Sequence, residues 1–231
     1  MGGQACVFYG AAEFSRDLDL LVLIEPQQLE RLRAGLGDLG AEPIAVPAFL
    51  PEHLLRGHAV HFRCTRPDVS GLRIDLMSKL RRVPSFEELW ERRTTFEVAG
   101  EHIDVLSVAD LVRAKKTQRD KDWPMIRRLM EQDYFTRSRN PAPERVEFWL
   151  RELRSPELLI EVSRQNPDAA RREAIARPAV GAALAGDAIA VAKILDDEER
   201  AERLSDQEYW APLKRELEQL RRSRHRSEGQ T

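Results

Sequence analysis

The chain has 231 residues, enough for one large domain or two modest ones, each with an apolar core. Hydrophobic residues make up 42% and charged residues 33%, and 37 basic side chains face 39 acidic ones, so no global field draws the protein toward nucleic acid or membrane. No stretch approaches the roughly 18 apolar residues of a membrane span, and the N-terminus lacks a signal-peptide pattern, so a cytoplasmic protein without a membrane partner is expected.

Taken in chain order, residues 4–9 read as a short helical stretch behind Gly2-Gly3, closed by Gly10. Residues 17–24 (DLDLLVLI) form a strand candidate, and residues 26–39 carry helical apolar spacing at Leu29, Leu32, Leu36 and Leu39. Residues 59–65 and 71–77 look like a hairpin pair around the turn-forming segment 67–71, and residues 101–106 form another short strand. Ser107 then opens a helix as N-cap of a capping box, with Asp110 in place of the usual Glu. That helix carries Lys115 and Lys116, and a second begins near Trp123-Pro124 and runs to about Gln132. After about Asn140 the chain reads as helix throughout, punctuated by Pro143, Pro156, Pro167, Pro178 and Pro212, and ends in a basic tail. Cys6 and Cys64 lack paired spacing and sit among apolar residues, so they read as small buried hydrophobes.

The chemistry concentrates in three acids. Side chains alternate along a strand, so Asp17 and Asp19 share a face with Cα atoms roughly 6.5 to 7 Å apart, while Leu18, Leu20 and Val22 face the other way. Asp75 sits in a similar apolar strand, LRIDLM. If the two strands are neighbours, three carboxylates converge, and such a group repels itself unless cations neutralise it. Hard oxygen donors suit Mg²⁺ (or Mn²⁺), whose natural co-ligand beside a few carboxylates is a nucleoside triphosphate. Glycines permit close backbone approach, and a helix start offers free N–H groups to phosphates, which gives Gly2-Gly3 its interest.

Plainer readings compete with each of these. Asp17 and Asp19 are also common residue types where loops enter strands, and an acid at a strand end such as Asp75 is often solvated. Lys115, Lys116, Arg119 and Lys121 also fit the solvated face of a helix, and Arg221 to Arg226 a solubilising end rather than an RNA contact. His53, His58 and His61 invite a zinc reading, but Gly57 interrupts the segment and His61 falls in a strand. They are expected to be ordinary surface or interface histidines, with no zinc.

The run GGQACVFYGAAEFSRDLDLLV, with Asp75 in GLRIDLM and the later SVADLVRAKKTQRDKDWPMIRRLME, resembles the DNA polymerase beta-like nucleotidyltransferase superfamily, in particular small bacterial members of toxin-antitoxin or abortive-infection type. The resemblance covers roughly residues 1 to 132. It implies an α+β fold with a nucleotidyltransferase-like mixed β-sheet and flanking helices, which the chain's own pattern bounds at residues 1–140; beyond the resemblance, the same pattern gives an all-helical region over 141–223 and a disordered tail over 224–231. The resemblance implies that Asp17, Asp19 and Asp75 form the catalytic and metal-binding set, with Asp75 helping to activate the acceptor, and that Gly2, Gly3, Ser15, Lys115 and Arg119 contact the nucleotide. The implied reaction moves a nucleoside monophosphate to the hydroxyl of a protein, tRNA or small molecule, with a partner protein encoded nearby among the associations of such families. Two departures stand out: family members carry a strand ahead of the Gly-Gly, where this chain has Met1, and small relatives often have Arg where Glu13 stands. An idle nucleotidyltransferase-like binding module is the competing expectation.

Overall fold

A computed structural model describes residues 1–228. The chain divides into two units. One comprises Met1–Phe8, Glu13–Ala114 and the chain from Glu208 onward, and the other comprises Tyr9–Ala12 and Lys115–Gln207. This division differs from a boundary near residue 140, because both late crossings fall inside helices, where no shift in composition marks them. Of the basic tail expected over residues 224–231, the backbone of 224–228 continues the last helix, and residues 229–231 lie outside the described residues.

The first unit is built on a mixed four-stranded sheet of β1 (Asp17–Leu21), β2 (Ala41–Pro43), β3 (Val60–Cys64) and β4 (Arg73–Met77), in the order β1-β4-β3-β2. β1 runs parallel to β4, while β3 pairs antiparallel with both β4 and β2. Parallel neighbours need a crossover. Here it begins with α2 (Pro26–Asp38), which starts on a proline and buries Leu29 and Leu36. The alternation of β3 sends Val60, Phe62 and Cys64 into the core, where Ile74, Leu76, Val22 and Leu54 meet them. Leu54, Val60 and Leu76 are fully buried, so truncating any of the leucines to alanine would cost about 2 to 5 kcal/mol. The same alternation leaves the opposite face of the sheet to His61, Arg63, Arg73 and Asp75.

The first unit also contains shorter elements: α1 (Gly2–Phe8), α3 (Pro51–Arg56), α4 (Phe86–Glu91), the hairpin β5 (Thr94–Val98) and β6 (Glu101–Val105), and α5 (Val108–Lys115), whose last residue falls in the second unit. Ser107 caps α5 as its sequence implies, with Asp110 N donating to Ser107 Oγ at 3.2 Å; the second bond of the pair runs from the Ser107 hydroxyl to Asp110 Oδ2 at 2.8 Å, which makes this one limb of a capping box. Both cysteines are buried and neither is in a disulfide.

The second unit is helical: α6 (Asp122–Arg137), α7 (Pro143–Glu152), α8 (Pro156–Gln165), α9 (Pro167–Glu173), α10 (Pro178–Ala185) and the first part of α11 (Ala188–Glu228). Four prolines occupy first turns, where the absent N–H has no intrahelical partner to lose. Pro212 differs, lying inside α11, which continues past the missing hydrogen bond. Two buried side chains inside this unit, Asp133 and Arg177, are held by several hydrogen bonds each. Asp133 accepts from Trp149 Nε1 at 2.8 Å and from Arg145, and Arg177 donates to the carbonyls of Leu150 and Leu153 near the end of α7. No helix among the described residues is long and apolar enough to cross a membrane.

Candidate functional site

The register of β1 on β4 sets Asp19 beside Asp75 and Asp17 beside Arg73. On the far side of β4, His61 stands opposite Asp75 and Arg63 opposite Arg73. Two polar rows therefore cross the sheet, Asp19-Asp75-His61 and Asp17-Arg73-Arg63, with strands about 4.8 Å apart. Leu18 and Leu20 pack against the apolar core, which fixes the opposite orientation for the two β1 acids.

Asp75 is 7% exposed. Its Oδ1 accepts from Arg73 Nε at 2.8 Å and lies 2.8 Å from His61 Nδ1, which is itself 3.1 Å from Arg73 Nη2. Protonated at Nδ1, His61 donates to the carboxylate; unprotonated there, it accepts from the guanidinium. Burial alone would push the Asp75 carboxyl up, but the hydrogen bonds from His61 and Arg73 outweigh it and hold the group below the usual aspartate value. Arg73 is raised above the usual guanidinium value, first by its hydrogen bond to Asp75, against the opposing effect of burial, and further by the fields of Asp75, Asp17 and Asp19. All three acids thus act on one cation, and that cation is a side chain of the protein.

The glycine turn is packed against the same face. The N–H of Gly3 points to Asp19 Oδ2 at 3.4 Å, and the backbone nitrogen of Met1 donates to the Asp19 carbonyl at 2.8 Å. A Cβ on Gly2, whose φ is 69°, would stand 1.8 Å from Asp19 Oδ2, and one on Gly3 would stand 2.4 Å from Ser15 Oγ. Glycine is required by contact at both positions, and at Gly2 by conformation as well. The Ser15 hydroxyl donates to the Asp17 carbonyl at 3.1 Å, and Gln4 Nε2 donates to the Ser15 carbonyl. These bonds tie the segment before β1 to α1.

Lys115 and Arg119 are brought together elsewhere in the chain, within the second unit. Lys115 is buried and its Nζ lies 3.1 Å from Asp122 Oδ1; Arg119 Nε donates to Asp122 Oδ2 at 2.8 Å, and Thr117 Oγ1 donates to the same oxygen at 2.6 Å. Burial would raise the Asp122 carboxyl, yet the field of Lys115, the Thr117 hydroxyl and the field of Arg119 hold it low. Their charges already serve a buried acid of the helical unit.

Arg73 and His61 are the residues that the sequence reading does not assign to this site. The signal was present in Arg73-Ile-Asp75, two charged groups at strand spacing on one face, and in the alternation of VHFRC. A cleft of about 470 Å³ lies beyond the C-terminal ends of β1 and β4, lined by Leu23, Ile24, Lys79, Pro84, Glu87 and Tyr209 among others, and it includes none of the polar rows. No family model, curated protein or solved structure matches the chain.

Proposed function

We propose that the first unit is a metal-dependent nucleotidyltransferase that moves a nucleoside monophosphate from a nucleoside triphosphate to an acceptor hydroxyl of a protein, tRNA or small molecule, releasing pyrophosphate. The observation that carries this reading is the pairing of Asp19 with Asp75 across parallel strands, with Asp17 on the same face of β1. Carboxylates are hard oxygen donors, and the β1–β4 register gathers three of them on one face of the sheet, so the donor set fits Mg²⁺ or Mn²⁺. Asp17 and Asp19 would hold the ion, which when bound neutralises phosphate charge at the entering and leaving oxygens.

The protein's own groups supply position and charge. Asp75, kept ionised by His61 and Arg73, is a weak base, so its part is to accept a hydrogen bond from the acceptor hydroxyl and orient it. Arg73 fixes the Asp75 carboxylate, and Gly2-Gly3 let α1 approach Asp19 without a side chain in the way. Such positioning and electrostatic terms are the principal ones in phosphoryl-type transfer. The test is incubation with each labelled triphosphate and Mg²⁺ or Mn²⁺. Pyrophosphate release that disappears in Asp17→Asn and Asp19→Asn, with the fold intact, supports the reading; equal release from the variants would sink it.

A second reading has its own observation. Asp75 Oδ1 is already contacted by two side chains of the protein, Arg73 and His61, an arrangement that also suits an idle module binding a nucleotide or a partner protein without turnover. Calorimetry separates the two: triphosphate binding without pyrophosphate release, or no binding, favours the idle module.

A further inference from the structure

The end of α3 offers chemistry unrelated to the acidic face. Gly57 takes φ 104°, its N–H donates to Leu54 O at 2.9 Å, and the N–H of His58 donates to His53 O at 3.0 Å. This is the paired hydrogen-bond pattern of a Schellman ending, which sets the side chains at its two outer positions against one another. An apolar pair usually fills those positions; here they are His53 and His58, with ring centroids 5.9 Å apart. From α11, Trp210 and Leu213 pack at the same turn, 3.4 and 3.7 Å from where a Gly57 Cβ would lie. Glu216, three residues further along, brings a carboxylate to the imidazoles.

One ligand atom from each of His53, His58 and Glu216 lies within 4.8 Å of the other two. His58 is 3% exposed, and neither its Nε2 nor the buried Nδ1 of His53 has a hydrogen-bond partner. Buried imidazole nitrogens without partners are costly. His58 Nε2 stands 3.4 Å from Glu216 Oε1, beyond the usual hydrogen-bond range of about 2.7 to 3.2 Å. Two ligands held about 2.1 Å from a tetrahedral zinc ion are themselves about 3.4 Å apart. Arg56 Nη1 also reaches Glu216 Oε1, at 2.8 Å, from an exposed position.

We propose that His53, His58 and Glu216 form a binding site for a divalent transition-metal ion of the zinc class, with the fourth position open to water. Two imidazoles and one carboxylate select this class over Mg²⁺, which prefers oxygen donors. An ion there links the end of α3 to α11 within the first unit.

Titration of the tag-free full chain with Zn²⁺ by calorimetry, and with Co²⁺ by visible absorbance, tests the site. One ion should bind, with the intense Co²⁺ band of tetrahedral coordination, undiminished by a large excess of Mg²⁺. Glu216→Gln and His53→Gln should each weaken Zn²⁺ binding by about tenfold or more while leaving the far-UV circular dichroism unchanged. Asp19→Asn should retain the Co²⁺ band, separating this site from the sheet acids. Absence of Zn²⁺ and Co²⁺ binding, or binding unaltered in both Glu216→Gln and His53→Gln, would overturn the assignment.

Discussion

Replacing Asp75 with Asn keeps the size of the side chain and removes its charge. The carboxylate accepts from Arg73 and, with Nδ1 protonated, from His61, each at 2.8 Å. Exchanging a charge-assisted hydrogen bond for a neutral one costs about 1 kcal/mol. The Arg73 side chain is 38% exposed, so its share is discounted for solvent screening, and the expected loss at pH 7 is about 1.5 kcal/mol. The pH dependence fixes the cause. Because the folded Asp75 carboxyl titrates below the ordinary value of 3.8, its contribution is present above that value and fades as pH falls through the lower folded one. Urea unfolding followed by circular dichroism should show a midpoint lowered by about 0.5 to 1 M at pH 7. The gap between parent and variant should close below the ordinary aspartate value. A gap that is absent at pH 7, or that persists unchanged into acid, would refute the electrostatic account of this carboxylate.

Gly2→Ala would place a methyl group 1.8 Å from Asp19 Oδ2 and impose a left-handed backbone on alanine. A loss of about 1 to 2 kcal/mol from the backbone is expected, together with displacement of Asp19, seen as a lower melting temperature and weaker Mg²⁺ binding. Lys115→Met would strip the main countercharge from Asp122, which is 1% exposed, and should destabilise the protein by about 3 kcal/mol in denaturant titration. If triphosphate binding fell while stability held, Lys115 would instead be a nucleotide ligand. Burial, then the hydrogen bond and charge of Glu161, push the Tyr134 hydroxyl from 10.0 up to about 12. Its stabilising contribution is therefore present below pH 10.0 and lost as pH rises toward the folded value, and ultraviolet absorbance should show one tyrosine ionising late.

The acidic face was legible because strand alternation is an exact geometric property: Leu18 and Leu20 had to face the core, so Asp17 and Asp19 could not. The neighbouring of β1 and β4 required tertiary pairing, and with it came Arg73 and His61, which no local pattern joins to Asp19. β2 escaped notice at three residues including a proline, too short for alternation to register. β5 was missed because the hairpin turn uses Ala99 at φ 53° before Gly100, where Asn or Asp is the usual signal. Gly57 misled in a more instructive way. It does interrupt the helix, as the sequence suggests, but that left-handed interruption is what folds His58 back onto His53. Glu216, 158 residues beyond His58, carries no local sign of belonging to them.

The most direct test of the central claim is pyrophosphate release from nucleoside triphosphates by the parent chain in Mg²⁺ or Mn²⁺, set against Asp17→Asn and Asp19→Asn. The account predicts release by the parent with at least one triphosphate and its loss in both variants, with circular dichroism unchanged. No release by the parent with any triphosphate and acceptor, or release that survives both substitutions, would contradict it.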